Sequence, residues 1–161
     1  MITMNAPQAA PQPDRTEEIL SLLKERVLVL DGAMGTMIQG YDLSADDFEG
    51  LEGCNEYLVV TRPQVIREIH AAYFEAGADL VETNTFGSSE IVLVEYGIES
   101  RAFEISKRAA EIARAVADDF SSQSWPRFVS GSVGPGTKIL TLGHTTWSTM
   151  YRSYSAQIAG L

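Results

Sequence analysis

Apolar positions along this chain follow two rhythms: short unbroken runs, and longer stretches spaced three to four residues apart. Val27-Leu28-Val29-Leu30 is an unbroken run that ends in Asp31-Gly32, the pattern of a strand covered on both faces. Residues 79–83 and 127–133 are the next strand candidates, the latter introduced by Pro126. Between the runs the spacing turns helical. Ile19, Leu20, Leu22 and Leu23 form a stripe within residues 16–26, and Ile66, Ile69, Tyr73 and Ala76 form another after residue 61. Thr61 and Gln64 have the spacing of a capping box, Pro63 suits a first turn, and Gly77 is placed to end the helix. Residues 100–120 carry Ala102, Ile105, Ala109, Ile112, Val116 and Phe120 on one side and Arg101, Lys107, Arg108, Glu111 and Arg114 off it. A last amphipathic stretch begins near Ser148, with Met150, Tyr151, Tyr154, Ile158 and Leu161 as its apolar face.

The order is a helix followed by three strand–helix units. Strands alternating with helices imply an α/β fold with a parallel sheet. Residues 1–15, rich in proline and alanine at their start, read as a disordered tail rather than a signal peptide. Residues 16–161 are long enough for one ordinary domain, and no apolar run approaches the roughly eighteen residues of a membrane span. A cytoplasmic, membrane-free protein is the expectation.

The net charge of −10, from 12 basic and 22 acidic residues, argues against nucleic acid, which demands a basic footprint. The acids concentrate between Gly40 and Glu56, where no Lys or Arg interrupts them. That segment reads as a solvated loop, since it lacks the residue order of a calcium loop. Cys54 is the only cysteine, and His70 and His144 are the only histidines, so a sulfur-rich zinc site has no ligand set here. Cys54, flanked by Glu52 and Glu56, reads as structural. His70 reads as a packing or surface residue. His144 lies in a polar loop with nothing beside it that marks a base.

Chemistry gathers where the strand candidates end. Side chains at the carboxyl ends of parallel strands project into a shared crevice. Asp31, followed by Gly32, Ala33, Met34 and Gly35, can accept from a substrate ammonium while nearby backbone N–H groups hold a carboxylate. It can equally cap a tight turn. Thr83, Asn84 and Thr85 can line the same crevice, or simply fit a strand and its turn. Gly131 to Lys138 has the glycine spacing of a phosphate loop, but Thr137 precedes Lys138 where that loop needs lysine first. A glycine-rich turn fits better.

Leu30-Asp31-Gly32-Ala33-Met34-Gly35-Thr36, then Glu82-Thr83-Asn84-Thr85-Phe86, then Val133-Gly134-Pro135 resemble, in this order, motifs of the homocysteine S-methyltransferase superfamily. The run from Ile69 to Asp79 is similar as well, and the resemblance extends over residues 26–161. Within the superfamily it points to the homocysteine-binding module of cobalamin-dependent methionine synthases. It implies a (β/α)8 TIM barrel, of which this chain holds the first three strand–helix units. It implies a substrate site of Asp31, Gly32, Ala33, Met34, Thr83, Asn84, Thr85 and Phe86, with Asp31 on the amino group of homocysteine.

The resemblance also implies zinc, which lowers the thiol pKa, and methylcobalamin as methyl donor. Neither has a ligand in this chain: the family's zinc cysteines lie at later strand ends, and Cys54 matches none of them. The expectation is therefore a methyltransferase fragment, inactive alone. Its partners would be homocysteine, the remainder of the barrel, and folate- and cobalamin-binding modules in the same or another chain. The alternative is a non-catalytic remnant, or an interaction module that completes a split barrel. An aldolase-like barrel is the weaker reading, because no lysine stands at a strand end to form a Schiff base.

Overall fold

A computed structural model describes residues 14–161. Most of the expected tail over residues 1–15 thus lies outside the described residues. The first helix, α1 (Thr16–Glu25), forms where its spacing predicts. Its stripe, however, is not buried: Ile19 and Leu22 are half-covered, and Leu20 and Leu23 are exposed. The cap residue Arg15 ties the start of the helix to the sheet: its guanidinium sits 4.4 Å from the Phe128 ring centre and donates to the Arg127 carbonyl.

The apolar run 27–30 is extended and lies beside β1 (Leu80–Glu82). The Val29 carbonyl accepts the N–H groups of Asp79 and Leu80, and Asp31 N–H donates to the Leu80 carbonyl at 3.0 Å. A parallel bridge pairs Leu30 with Leu80. The expectation of cover on both faces fails: Val27 is 84% exposed, and Val29 and Leu30 are open as well. The run is tied along one backbone edge, and of its four side chains only Leu28 is half-buried. On the other side of β1, β2 (Phe128–Ser130) pairs in parallel, Leu80 opposite Phe128 and Glu82 opposite Ser130. The result is a helix-rich mixed α/β fold around a small parallel sheet.

Each extended segment is followed by a long helix. After the first come four short elements that sequence periodicity does not reveal: α2 (Met34–Gln39), two 3-10 turns (Ala45–Phe48 and Asn55–Tyr57) and α3 (Leu58–Thr61). The long helix α4 (Pro63–Glu75) opens on Pro63, as expected, but the Thr61–Gln64 capping box does not form. Thr61 is already helical in α3, its hydroxyl is buried without a partner, and Arg62 takes the cap position. Val65, Ile66, Ile69, His70 and Phe74 are buried along α4, whereas Ala76 is exposed. Gly77 ends the helix at φ 105°, a left-handed conformation that favours glycine.

After β1, the four-residue α5 (Glu90–Leu93) leads to α6 (Ala102–Phe120). The predicted stripe of α6 is buried at Ala102, Ile105, Ala109 and Val116, with Ala113 and Ala117 beside it. This alanine-rich face is flat enough to meet α4 on one side and α7 (Trp147–Gly160) on the other. One apolar cluster gathers Leu58, Ile66, Ile69, Leu93 and Ile105; a second gathers Phe74, Val81, Val116 and the alanines beneath the sheet. Each fully buried Leu, Ile or Phe contributes about 1.5–3 kcal/mol.

On α7 the expected apolar face is covered only in part: Met150, Tyr154 and Leu161 are half-buried. Tyr151 and Ile158 are 64% and 59% exposed, while Ser153, Gln157 and Gly160 are buried. Close approach explains the difference. A Cβ at residue 160 would lie 2.6 Å from the Phe103 carbonyl and 2.8 Å from Ser106 Cβ, so only glycine fits there. Ser153 accepts from Ile91 N–H at 2.9 Å, and Gln157 donates to the Thr85 carbonyl at 2.6 Å. The seam is polar because it faces backbone groups that need partners.

At the amino edge of the sheet, Asp79 is the hub. Arg26 donates to both of its oxygens, at 2.8 and 2.7 Å. Val29 N–H and Trp125 Nε1–H add further bonds at 2.8 Å each. These partners, Arg26 first, hold the Asp79 carboxyl far below the usual carboxylate range against the opposing effect of burial. Arg127 stacks 3.6 Å from the Trp125 ring centre and donates to the Ala78 carbonyl.

Candidate functional site

At the opposite, carboxyl edge of the sheet lies a cleft of about 200 Å³. Its lining contains every residue that the sequence singles out for a substrate site: Asp31, Gly32, Ala33 and Met34 from one strand end, and Thr83, Asn84, Thr85 and Phe86 from the next. Glu82 and Ser132 complete it. Those two were missed, although the rule that finds Asp31 also finds them, since Ser132 follows the third extended segment as Asp31 follows the first.

Asp31 is only half-buried, and its Oδ1 accepts from Glu82 N–H at 2.9 Å. Burial pushes its carboxyl up to about 6; that backbone bond pulls the other way, and the neighbouring Glu82 carboxylate adds to the rise. Here a negative charge is under-compensated, which suits a cationic ligand group. Ala33 stands in a left-handed conformation, φ 43°, and turns the chain directly into α2. The first N–H groups of α2 have no intrahelical partner by geometry.

Thr83 and Thr85 are both buried, and their hydroxyls serve the scaffold. They meet each other at 2.6 Å. Thr83 Oγ1 accepts from Ser132 N–H, and Thr85 Oγ1 donates to the Ser132 carbonyl. Together they lash the end of β1 to the end of β2. Asn84 donates to the Asn55 carbonyl at 2.8 Å. Phe86 is the exception: its ring is 63% exposed at the cleft mouth. Gly134 lies against it, donating its N–H to the Phe86 carbonyl at 3.0 Å. The segment from Gly131 to Lys138 thus buttresses the cleft wall.

The remaining candidates lie outside the cleft lining. Cys54 is fully buried, and its thiol is pushed up to about 11 by burial and by Glu56. His70 is fully buried, neither ring nitrogen has a partner among the described residues, and burial pushes it down to about 4. His144 accepts from Ile139 N–H in a surface turn. The acidic loop is less solvated than expected. Asp47 caps Ser44 and pairs with Arg62, Glu49 accepts from the Tyr57 hydroxyl, and Glu56 accepts from Gly87 N–H. Among the described residues no three His, Cys, Asp or Glu side chains are placed to hold a metal ion. No His or Cys lines the cleft. The residues present therefore do not fit a zinc or cobalt centre by themselves.

A sequence model of homocysteine S-methyltransferases matches residues 28–161. The chain belongs to the homocysteine S-methyltransferase family. Among homocysteine S-methyltransferase relatives, it is 51% identical over 144 residues to the methionine synthase of Mycobacterium tuberculosis, an alignment covering 89% of this chain and 12% of that protein. To the methionine synthase of Mycobacterium leprae it is 49% identical over 153 residues, covering 95% and 13%. The chain thus spans 12–13% of the length of these relatives. Among solved structures, the metallated form of the homocysteine methyltransferase MmuM from Escherichia coli matches with a TM-score of 0.59 at 26% identity, over 71% of this chain and 40% of that one. The oxidized form of the same enzyme matches with a TM-score of 0.64 at 20% identity, over 88% and 53%, a likeness of fold alone.

Proposed function

We propose that this chain supplies the amino-acid half of a homocysteine site in a methyltransferase of the methionine synthase type. It would be the first three strand–helix units of a (β/α)8 barrel. The observation that carries this reading is the convergence of Asp31–Met34 and Thr83–Phe86, 52 residues apart in sequence, on one cleft at the carboxyl ends of parallel strands. Asp31 accepts the substrate ammonium in a charge-assisted hydrogen bond. The backbone at the start of α2 faces the carboxylate. The exposed Phe86 ring covers the methylenes that carry the sulfur. The threonines do not reach the ligand; they hold the two strand ends in register.

Zinc, if held by the rest of such a site, would lower the thiol pKa and favour a thiolate at neutral pH. Its ligands, and the cobalamin that donates the methyl group, belong to other segments or another chain. The isolated 161 residues therefore transfer no methyl group.

The test is zinc content together with homocysteine binding, on this chain alone and after mixing with a chain carrying the remaining strands. Binding only in the mixture is the expected result. Stoichiometric zinc and binding by this chain alone would overturn the assignment of the ligands. No binding in either case would leave an interaction module or remnant and refute the homocysteine reading.

A further inference from the structure

Asn84, Thr85 and Phe86 of the cleft wall, and Gly87 directly after them, are each held by a residue distant in sequence, the first and last by the neighbouring Asn55 and Glu56. Asn84 Nδ2 donates to the Asn55 carbonyl at 2.8 Å. The Thr85 carbonyl accepts from Gln157 Nε2 at 2.6 Å. The Phe86 carbonyl accepts from Gly134 N–H at 3.0 Å, and Gly87 N–H donates to Glu56 Oε1 at 2.8 Å. The last of these bonds is charge-assisted, the strongest kind in the set. Two glycines make the grip possible. A Cβ at Gly134 would lie 2.6 Å from the Phe86 carbonyl oxygen and 2.8 Å from its ring; a Cβ at Gly87 would lie 2.8 Å from Glu56 Oε1.

Glu56 is half-buried and does not line the cleft. The turn that carries it is anchored firmly. Cys54 is fully buried, and the Tyr57 hydroxyl accepts from Arg101 at 2.7 Å while donating to Glu49 at 2.9 Å. An anchored carboxylate therefore grips the residue next to the one ring that stands open over the cleft.

We infer that Glu56 is a positioning residue of the amino-acid site: by holding Gly87 N–H, it sets where the Phe86 ring stands over the bound ligand. This rests on the homocysteine reading given above. Glu56 acts through Gly87 and Phe86, so its removal lowers affinity without deleting a ligand contact. Glutamine keeps an acceptor oxygen at the same reach; alanine does not. In Gly87→Ala the new methyl meets the movable end of the Glu56 side chain and evicts it, so that variant imitates Glu56→Ala. Two substitutions that break one contact are not additive.

The experiment measures homocysteine affinity by calorimetry in whichever form of the wild type binds, the chain alone or complemented, and hydrogen exchange at the Gly87 amide. Glu56→Ala and Gly87→Ala are each expected to weaken binding about tenfold, with the double variant no weaker than about either single. Glu56→Gln should stay within roughly threefold of wild type, because a neutral acceptor still serves the N–H group. Gly87 exchange should quicken in Glu56→Ala and not in Glu56→Gln. If Glu56→Ala does not fold, Gly87→Ala and Glu56→Gln decide the matter between them. Unchanged affinity in the folded variants, a glutamine as damaging as alanine, or multiplicative losses in the double variant would each overturn the role. A wild type that binds no homocysteine in any form would refute the parent reading, and this role with it. A wild type that binds while Gly87→Ala and Glu56→Ala change nothing would refute the role alone.

Discussion

Two aspartates stand at opposite edges of the same small sheet and have opposite fates. Asp79, at the amino edge, accepts from Arg26 twice, from Val29 N–H and from Trp125, and is held strongly ionised. Asp31, at the carboxyl edge, accepts one backbone N–H of a neighbouring strand, faces another carboxylate, and is pushed up to about 6. One edge is electrostatically complete; the other is left wanting a cation. The difference separates a residue that holds the fold together from a residue available to a ligand, and it does so without any difference in residue type.

The largest expected effect lies at the closed edge. Asp79→Ala leaves Arg26, Val29 N–H and Trp125 without their acceptor and should cost about 3 kcal/mol, the low end for a broken buried pair because Arg26 keeps access to water. Asp31→Ala should cost no more than about 0.5 kcal/mol, as for an ordinary surface change. Denaturant titration of both variants checks this; equal losses would erase the distinction between the edges.

At the open edge the effect moves from stability to binding. Asp31→Asn should weaken homocysteine binding by about 1.5–3 kcal/mol, the value of a charge-assisted hydrogen bond. Calorimetry on the binding-competent form reads it, and unchanged affinity would remove Asp31 from the site.

The two edges should also respond to pH with opposite sign. The folded Asp31 carboxyl titrates near 6, above its ordinary 3.8, so between these values the folded state holds the extra proton. Its contribution to stability is full below 3.8 and is lost as pH rises through about 6. Homocysteine affinity should move the other way, rising as Asp31 ionises. Asp79, with its folded pKa depressed, contributes fully above its ordinary 3.8 and loses that contribution only as pH falls below it. Affinity measured from pH 5 to 8 should rise in the wild type and lose that rise in Asp31→Asn; an equal slope in both would assign the titration to another group.

A smaller effect than that of Asp79→Ala belongs to the lashing between strand ends. Thr85→Val deletes the hydroxyl that donates to the Ser132 carbonyl, while Gln157 remains 3.4 Å from that same oxygen. A loss of about 1 kcal/mol in thermal unfolding is expected; a loss as large as that of Asp79→Ala would make the open edge a stabilising one too.

Much of this arrangement was legible in the sequence because it rests on local signals. The long helix of residues 102–120 and the glycine that ends the helix before β1 follow from spacing and backbone freedom. Eight of the ten residues that line the cleft followed from a rule about strand ends together with a family resemblance. What escaped was set by packing between distant segments. The buried face of α7 is small and polar because Gly160 lies against Phe103 and Ser106, and a periodicity argument looks for large apolar residues. The capping box at Thr61 yielded to a short helix that already contained it. The acidic loop looked solvated because the partners of Glu49, Asp47 and Glu56 lie up to thirty-one residues away in sequence.

The Asp79 hub has a temporal consequence. Its bonds to Arg26, Val29 and Trp125 span 53, 50 and 46 residues of chain. Closing loops of that length costs entropy before any of these bonds can form. The hub is expected to behave as a latch that shuts late in folding. In a chevron analysis, removing it should speed escape from the native state far more than it delays arrival.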